Sequence, residues 1–212
     1  PHSPPHPKFF FQEEDVIREQ ALSRGLGDVY KRQVLNKFVT VPEDAVDIEV
    51  MAQQWYWNFR LPGEDGKLGL TDIRNINDEN PFGINLDDPN GIDDILIEGD
   101  DLHIPIDQSV KINLRSIDVL HDFYIPQFRA KMDMVPGVVT YYWFTPTRTG
   151  DFEILCMEYC GTGHYAMRGR VLVDEQIDYE DWLSEQVTFE EMMASINKTD
   201  LIQLALNKKG DK

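Results

Sequence analysis

Two thiols, an imidazole and a thioether lie within one short segment of the chain. The residues are Cys156, Cys160, His164 and Met167, in the pattern C-x3-C-x3-H-x2-M. Thiolate and thioether sulfur are soft ligands and imidazole is intermediate, a set that favours copper among biological metals. Zinc also accepts Cys and His, but it rarely takes Met, and a zinc ribbon would show two C-x2-C pairs. The spacing therefore predicts a copper site.

A second imidazole is available at His121, in the segment LRSIDVLHDF (114–123). We expect His121 to follow a strand into an irregular stretch, where it can reach a site at the edge of a sheet. His103, in LHIP, is interpreted as structural. A metal-free alternative is a disulfide between Cys156 and Cys160, with the nearby His and Met serving only for packing.

Short strand-like segments must position these ligands. They are rich in β-branched, aromatic or alternating apolar residues, and they cover 46–59, 95–97, 103–106, 110–116, 138–145, 151–155 and 168–174. Many short strands separated by Gly and Pro turns are typical of a β-sandwich or Greek-key barrel, whereas a parallel α/β sheet would alternate strands with helices. We predict an all-β fold over 34–174, followed by a helical C-terminal tail over 175–212 that packs on the sandwich.

The charge balance excludes some classes of partner. The chain of 212 residues holds 38 acidic and 20 basic residues, a net charge of −18. Such a protein repels nucleic acid and anionic membrane surfaces and attracts basic partners. Acidic residues crowd 61–101, which we predict to be an irregular, solvated insertion. A calcium site over 87–94 is the alternative, although its spacing does not fit a helix-loop-helix calcium loop.

The first 33 residues differ from the rest. Segment 23–33, SRGLGDVYKRQ, is the translation of a DNA string that resembles a transposon-based sequencing-library adapter, and 12–19 resembles the outer part of that adapter at five of eight positions. We therefore expect 1–33 to be a non-native leader and the protein to be truncated at Val34. The alternative is a natural Pro- and His-rich leader followed by a short helix.

Together the motifs resemble subunit II of the haem–copper cytochrome c oxidases, in its extracytoplasmic CuA domain. The matching pieces are QWYW at 54–57, LHDF at 120–123, DMVPG at 133–137 and the loop 156–167. The resemblance implies a cupredoxin-like Greek-key sandwich that holds a binuclear copper centre. It implies an electron-transfer subunit that serves cytochrome c oxidase within the assembled enzyme and does not itself reduce oxygen.

The resemblance also implies partners and a location. Cytochrome c would donate electrons, and a haem in catalytic subunit I would receive them. The copper domain would lie on the periplasmic face of the bacterial cytoplasmic membrane. It would be anchored by a transmembrane hairpin that is missing before Val34, since the sequence has no run of 18 apolar residues.

Residue by residue, the resemblance implies the following roles. Cys156 and Cys160 would bridge two coppers, His121 and His164 would each cap one, and Met167 and the Glu158 carbonyl would be the weak ligands. The Glu158 carboxylate would reach a magnesium ion shared with the catalytic subunit, and electrons would enter at Trp55. Exposed acids near the site would form a docking face, with Asp118, Asp122 and Asp133 as candidates.

Two alternatives remain. Nitrous-oxide reductase shares the loop motif, but its large propeller domain does not fit in 212 residues, and Trp55 and 133–137 favour the oxidase. The other alternative is a copper-free interaction module with a disulfide. Quinol oxidase subunits use this fold without copper, but they lack both cysteines.

Overall fold

The computed structural model describes residues 24–196, and the chain divides into two units, 1–42 and 43–212. In the first unit, helix α1 spans Arg24–Val39 and runs through the boundary predicted between residues 33 and 34. That boundary therefore stays a prediction. The parts of the leader and tail predictions that concern 1–23 and 197–212 lie outside the described residues. Within 24–196, none of the helices has both the length and the apolar character needed to cross a membrane.

The described part of the second unit contains ten strands in two five-stranded sheets. The strands are β1 Val46–Gln53, β2 Tyr56–Leu61, β3 Ile95–Glu98, β4 Leu102–Pro105, β5 Val110–Ser116, β6 His121–Ile125, β7 Ala130–Met134, β8 Thr140–Phe144, β9 Gly150–Cys156 and β10 Arg168–Asp174. The sheet orders are β3-β2-β1-β5-β8 and β4-β10-β9-β6-β7. The β1–β5 and β10–β4 pairs are parallel and the other pairs are antiparallel. The predicted all-β sandwich is confirmed for 46–174, whereas residues 34–39 of the predicted range lie in helix α1.

Two local predictions were wrong. The segment 46–59 forms a hairpin, because the chain reverses at Gln54 and Trp55 and β1 pairs with β2 from Gln53↔Tyr56 onward. His121 begins strand β6 and does not enter an irregular stretch, since β6 pairs with both β7 and β9. Polar residues within β6 and β7 obscure the apolar alternation that marks a strand in sequence.

The main core lies between the sheets, and strand β5 shows how it forms. Val110, Ile112 and Leu114 are buried and alternate with less buried positions, as expected for a strand with one face on a core. Strand β1 is buried on both faces. Its second face carries Met51, which packs in a separate apolar cluster with Phe82, Ile84 and Phe189.

This second cluster corrects the prediction that segment 61–101 is simply solvated. Phe82 and Ile84 in that segment are fully buried. The segment is also attached to the sheet by the fully buried Arg60, which donates to a Glu49 carboxylate oxygen at 2.8 Å and to the Gly69 carbonyl at 2.7 Å, and which pairs with Asp94. The segment is so rich in acidic residues that the few buried apolar residues between them do not stand out in the sequence.

The beginning of the predicted tail is helical and packs on the sandwich within the second unit. Helix α2 spans Gln176–Ser184, and residues 189–196 are also helical. The Trp182 ring stacks on the His103 imidazole with centroids 4.3 Å apart. His103 Nδ1 lies 2.5 Å from an Asp174 carboxylate oxygen, in agreement with a structural role for this histidine.

Candidate metal centre

Strand pairing brings the distant donors together at one end of the sandwich. His121 is the first residue of β6 and Cys156 is the last residue of β9. Strands β6 and β9 are antiparallel with Phe123 opposite Cys156, so His121 lies beside the end of β9. The loop 157–167 then returns the chain to β10.

Each of the two cysteine sulfur atoms faces one imidazole. Cys156 Sγ lies 3.8 Å from His121 Nδ1, and Cys160 Sγ lies 3.6 Å from His164 Nδ1. The two Sγ atoms are 3.7 Å apart and both cysteines are free, whereas a disulfide requires about 2.05 Å. The structure thus holds a pair of sulfurs between two imidazoles and not the disulfide of the metal-free alternative.

Two further donors complete the cluster. The Glu158 carbonyl oxygen lies 3.2 Å from Cys156 Sγ, and Met167 Sδ lies 3.8 Å from Cys160 Sγ. Met167 is buried, as are both cysteines and His121. All six donors predicted from the sequence therefore converge, each sulfur having one imidazole and one weak donor near it.

The thiols are electrostatically unequal. Burial raises the pKa of Cys156, but its hydrogen bond with His121 and those of nearby groups outweigh burial and lower the pKa to about 6. Burial and the neighbouring Cys156 raise the pKa of Cys160 to about 12. One thiolate therefore forms readily, and a second buried negative charge needs a cation beside it. A soft cation between the sulfurs fits this donor set.

Among residues 24–196, one group of His, Cys and acidic side chains converges closely enough to hold a metal. Ligand atoms of His121, Cys156 and Cys160 lie within 4.8 Å of one another. The carboxylates of 87–94 form no such group within the described residues, so the calcium alternative gains no support from the geometry.

Asp118 is hydrogen-bonded to His121 and is not simply a solvent-facing acid. Its Oδ1 accepts a hydrogen bond from His121 Nε2 at 2.9 Å, and its Oδ2 accepts one from the Gln54 backbone N–H at 2.6 Å. With Nε2 held in this way, His121 directs Nδ1 toward Cys156. Asp118 was predicted only as a docking residue, and its proximity to a ligand in sequence was the signal for this second role.

The reversal between β1 and β2 contacts the ligand loop. Gln54 Nε2 donates to the Cys160 carbonyl at 2.7 Å, and Trp55 Nε1 lies 3.3 Å from the same oxygen. Trp55 is 38% exposed, so its ring reaches from the protein surface to the ligand loop 157–167. Sequence reasoning singled out Trp55 but missed Gln54, although both belong to the QWYW motif.

Two glycines leave room for this contact. Gly161 has a φ of +121°, a backbone conformation that residues with a side chain rarely adopt. A Cβ atom on Gly163 would lie 2.3 Å from Trp55 Cδ2. The glycines on either side of Thr162 therefore allow the indole ring to lie against the loop.

The structure corrects one of the predicted docking acids. Asp122 is 0% exposed and accepts a hydrogen bond from Lys131 Nζ at 3.0 Å, so its carboxylate is not available to a docking partner. It is buried because neighbouring residues of β6 alternate between faces that are both covered. The Asp133 side chain is 58% exposed, and its docking role stays a prediction.

The surface near the cluster carries large apolar side chains. Tyr159 and Tyr165 in the loop are 73% and 82% exposed, and Met157 is also exposed. Leu120, directly before His121, is exposed as well. Exposed apolar groups concentrated in one region commonly mark a protein interface.

Comparisons with known proteins agree with this geometry. The family model for the periplasmic domain of cytochrome c oxidase subunit II matches residues 46–174. The alternative cytochrome c oxidase subunit 2 of Bradyrhizobium diazoefficiens is 61% identical over 156 residues, which is 74% of this chain and 56% of that protein. Cytochrome c oxidase subunit 2 of Thermostichus vulcanus is 45% identical over 82 residues, which is 39% of this chain and 25% of that protein.

A solved structure supports the same conclusion. The periplasmic domain of cytochrome oxidase subunit II from Bradyrhizobium japonicum superposes with a TM-score of 0.50 at 25% identity, covering 68% of this chain and 95% of that one. The chain spans 56% of its Bradyrhizobium diazoefficiens relative and 25% of its Thermostichus vulcanus relative. The match over 46–174, which contains all six donors, shows that the chain belongs to the cytochrome c oxidase subunit II family through its periplasmic domain.

Proposed function

We propose that this chain is the electron-transfer subunit of a haem–copper terminal oxidase. It accepts single electrons from cytochrome c and passes them to a haem in the catalytic subunit. The observation that carries the proposal is the convergence of two thiols, two imidazoles, a thioether and a carbonyl at one end of a β-sandwich.

The donor set suits a binuclear copper centre. A copper centre held here would supply a redox group that takes up one electron at a time. The Cys156 and Cys160 thiolates would hold both coppers, and His121 and His164 would each hold one. Paired strands hold His121 and Cys156. Hydrogen bonds from Gln54 and Trp55 hold the Cys160 carbonyl in the loop, so the site should reorganise little as each electron passes.

Other residues connect this centre with its surroundings. Trp55 provides a partly exposed ring next to the Cys160 carbonyl and is the proposed point at which electrons enter. The half-buried Glu158 places its carbonyl beside Cys156 Sγ, and its carboxylate would bind a magnesium ion shared with the catalytic subunit. Exposed Met157, Tyr159 and Tyr165 offer an apolar surface for partner subunits.

The proposed location follows from the family. The domain lies on the periplasmic face of a bacterial cytoplasmic membrane, anchored by a hairpin, and its reaction partners are cytochrome c and catalytic subunit I. Oxygen reduction belongs to the assembled cytochrome c oxidase.

The test is to load the full chain with copper under reducing conditions, reoxidise it, and measure the copper-to-protein ratio and the electron paramagnetic resonance spectrum. We expect two coppers per chain and hyperfine splitting from both nuclei. Cys160→Ser removes one bridging thiolate and should abolish the shared-electron spectrum, whereas Thr162→Ser, in the same loop, should preserve it. One copper with a mononuclear spectrum in the unaltered chain would contradict the proposal.

A further inference from the structure

We infer that Gln54 is a positioning residue that holds both halves of the metal centre in register. The inference rests on the proposed copper-binding function. One half consists of Cys156 and His121, and the other consists of Cys160 with His164. Gln54 is hydrogen-bonded to a support of each half through different groups of the same residue.

The backbone of Gln54 supports the first half. Its N–H donates to Asp118 Oδ2 at 2.6 Å, while Asp118 Oδ1 accepts from His121 Nε2 at 2.9 Å. The Asp118 carboxylate thus lies between the Gln54 peptide and the imidazole. A shift of the Gln54 peptide would move the carboxylate and turn the His121 ring relative to Cys156 Sγ.

The side chain of Gln54 supports the second half. Its Nε2 donates to the Cys160 carbonyl at 2.7 Å, shorter than the 3.3 Å from Trp55 Nε1 to that oxygen. A carbonyl held by two donors fixes the peptide from which the Cys160 thiol projects. Cys160 Sγ in turn faces His164 and Met167, so the orientation of that peptide sets the geometry of the second half.

The frame around Gln54 gives it little freedom. Strand β1 pairs with β2 on one side and β5 on the other up to its last residues, and the Ile117 N–H donates to the Ala52 carbonyl at 3.1 Å. A Cβ atom on Gly161 would lie 2.9 Å from Gln54 Nε2, so the amide lies directly against the loop. A rigid residue that contacts both halves fixes the spacing between donors that are far apart in sequence.

The test compares two adjacent glutamines in the full chain. Gln54→Met keeps a side chain of similar length but removes the amide donor. Gln53→Met is the matched control, because the Gln53 side chain forms no hydrogen bond with residues 24–196. Copper affinity is measured by competition with a chelator, the electronic structure by paramagnetic resonance, and the stability of the copper-free chain by urea unfolding.

We expect Gln54→Met to lose copper affinity by about 10–100-fold, as for other residues that orient metal ligands. Its copper hyperfine splitting should also change, because the two halves are no longer held equivalently. The Gln53→Met variant should match the unaltered chain in both. A purely structural role would instead appear as reduced copper-free stability with an unchanged spectrum, and that result would overturn the inference.

A second variant covers the case in which Gln54→Met fails to fold. Gln54→Asn shortens the side chain by one methylene, which withdraws its amide from the Cys160 carbonyl while keeping a polar group, and it should change the hyperfine splitting in the same direction. An unchanged spectrum in Gln54→Asn would then overturn the inference. If the unaltered chain itself lacks a binuclear spectrum, the proposed function fails. If it has that spectrum and Gln54→Met matches it, only the positioning role fails.

Discussion

Gly163 lies against the Trp55 indole, where a Cβ atom would come within 2.3 Å of ring carbon Cδ2. The hydrogen atom at this position is what allows the ring to approach the loop. Thr162, one residue away, is exposed. Substitutions at Gly163 and at Thr162 can therefore be compared. The comparison separates the steric requirement of the Trp55 contact from the general tolerance of the loop to substitution.

Replacing Gly163 with Ala should destabilise the copper-free protein by about 1–3 kcal/mol, the usual cost of overpacking. The ring or the loop must move to admit the methyl group. Urea unfolding of the full chain measures the loss. The Thr162→Ala variant should stay within about 0.5 kcal/mol of the unaltered chain. Equal losses in both variants would show that the Trp55 contact does not restrict this position.

Among the structural elements, the acidic insertion is attached to the sandwich by one buried charge cluster. Arg60 of β2 pairs with Glu49 of β1 and with Asp94, the insertion residue directly before β3. Glu49 also accepts a hydrogen bond from Arg115 of β5 at 2.7 Å. The Gly69 N–H donates to Asp94 Oδ2, but Asp94 Oδ1 is buried without a partner. Burial raises the pKa of Asp94 to about 6, although Arg60 opposes the shift.

This raised pKa predicts a pH dependence. Between about pH 4 and pH 6, Asp94 is protonated in the folded protein but ionised in the unfolded chain. Its contribution to the free energy of unfolding is therefore complete below this window and is lost as the pH rises through it. Asp94→Asn lacks this titration. We expect the free energy of unfolding of the variant to rise relative to that of the unaltered chain, by about 1 kcal/mol from about pH 5 to pH 7.

The Asp72→Asn variant is the matched control for this measurement. A side-chain hydrogen bond from Arg74 lowers the pKa of Asp72 to about 2, so its titration lies below the window. The difference between Asp72→Asn and the unaltered chain should stay constant from about pH 5 to pH 7. A constant difference for Asp94→Asn as well would show that Asp94 is ionised throughout.

For the whole molecule, a net charge of −18 sets how partners approach. A basic cytochrome c should be steered toward the acidic surface, and salt should screen this attraction because the Debye length falls from about 30 Å at 0.01 M to about 8 Å at 0.15 M. The rate of reduction of the copper-loaded chain by such a cytochrome should fall on the order of tenfold over that range. Stopped-flow absorbance measures it, and a small neutral reductant should show little dependence.

Two exposed acids test where the donor docks. Asp133 pairs with Asp122 in the β6–β7 ladder, next to His121↔Met134 and thus at the metal end. Asp151 lies near the start of β9, whereas Cys156 lies at its end. At low salt, Asp133→Asn should slow reduction more than Asp151→Asn. Equal effects would mean that the overall charge, and not a local face, directs docking.

The sequence alone determined the chemistry of the loop and the class of fold. Four donors lie within C-x3-C-x3-H-x2-M, and their types favour copper whatever the surrounding structure. Short apolar segments separated by turn residues indicated an all-β sandwich, because strand alternation and turn chemistry are local properties. The family followed from the same motifs.

Only the tertiary structure decided which residues support the donors. His121 and Cys156 are 35 residues apart and meet through the β6–β9 register, which depends on pairing that no local pattern encodes. Cross-strand contacts likewise made Asp118 a partner of His121 and connected Gln54 to Cys160. Burial of Asp122 and of the insertion's apolar residues also depends on what packs over them. Register and burial arise from long-range packing, and sequence spacing reports neither.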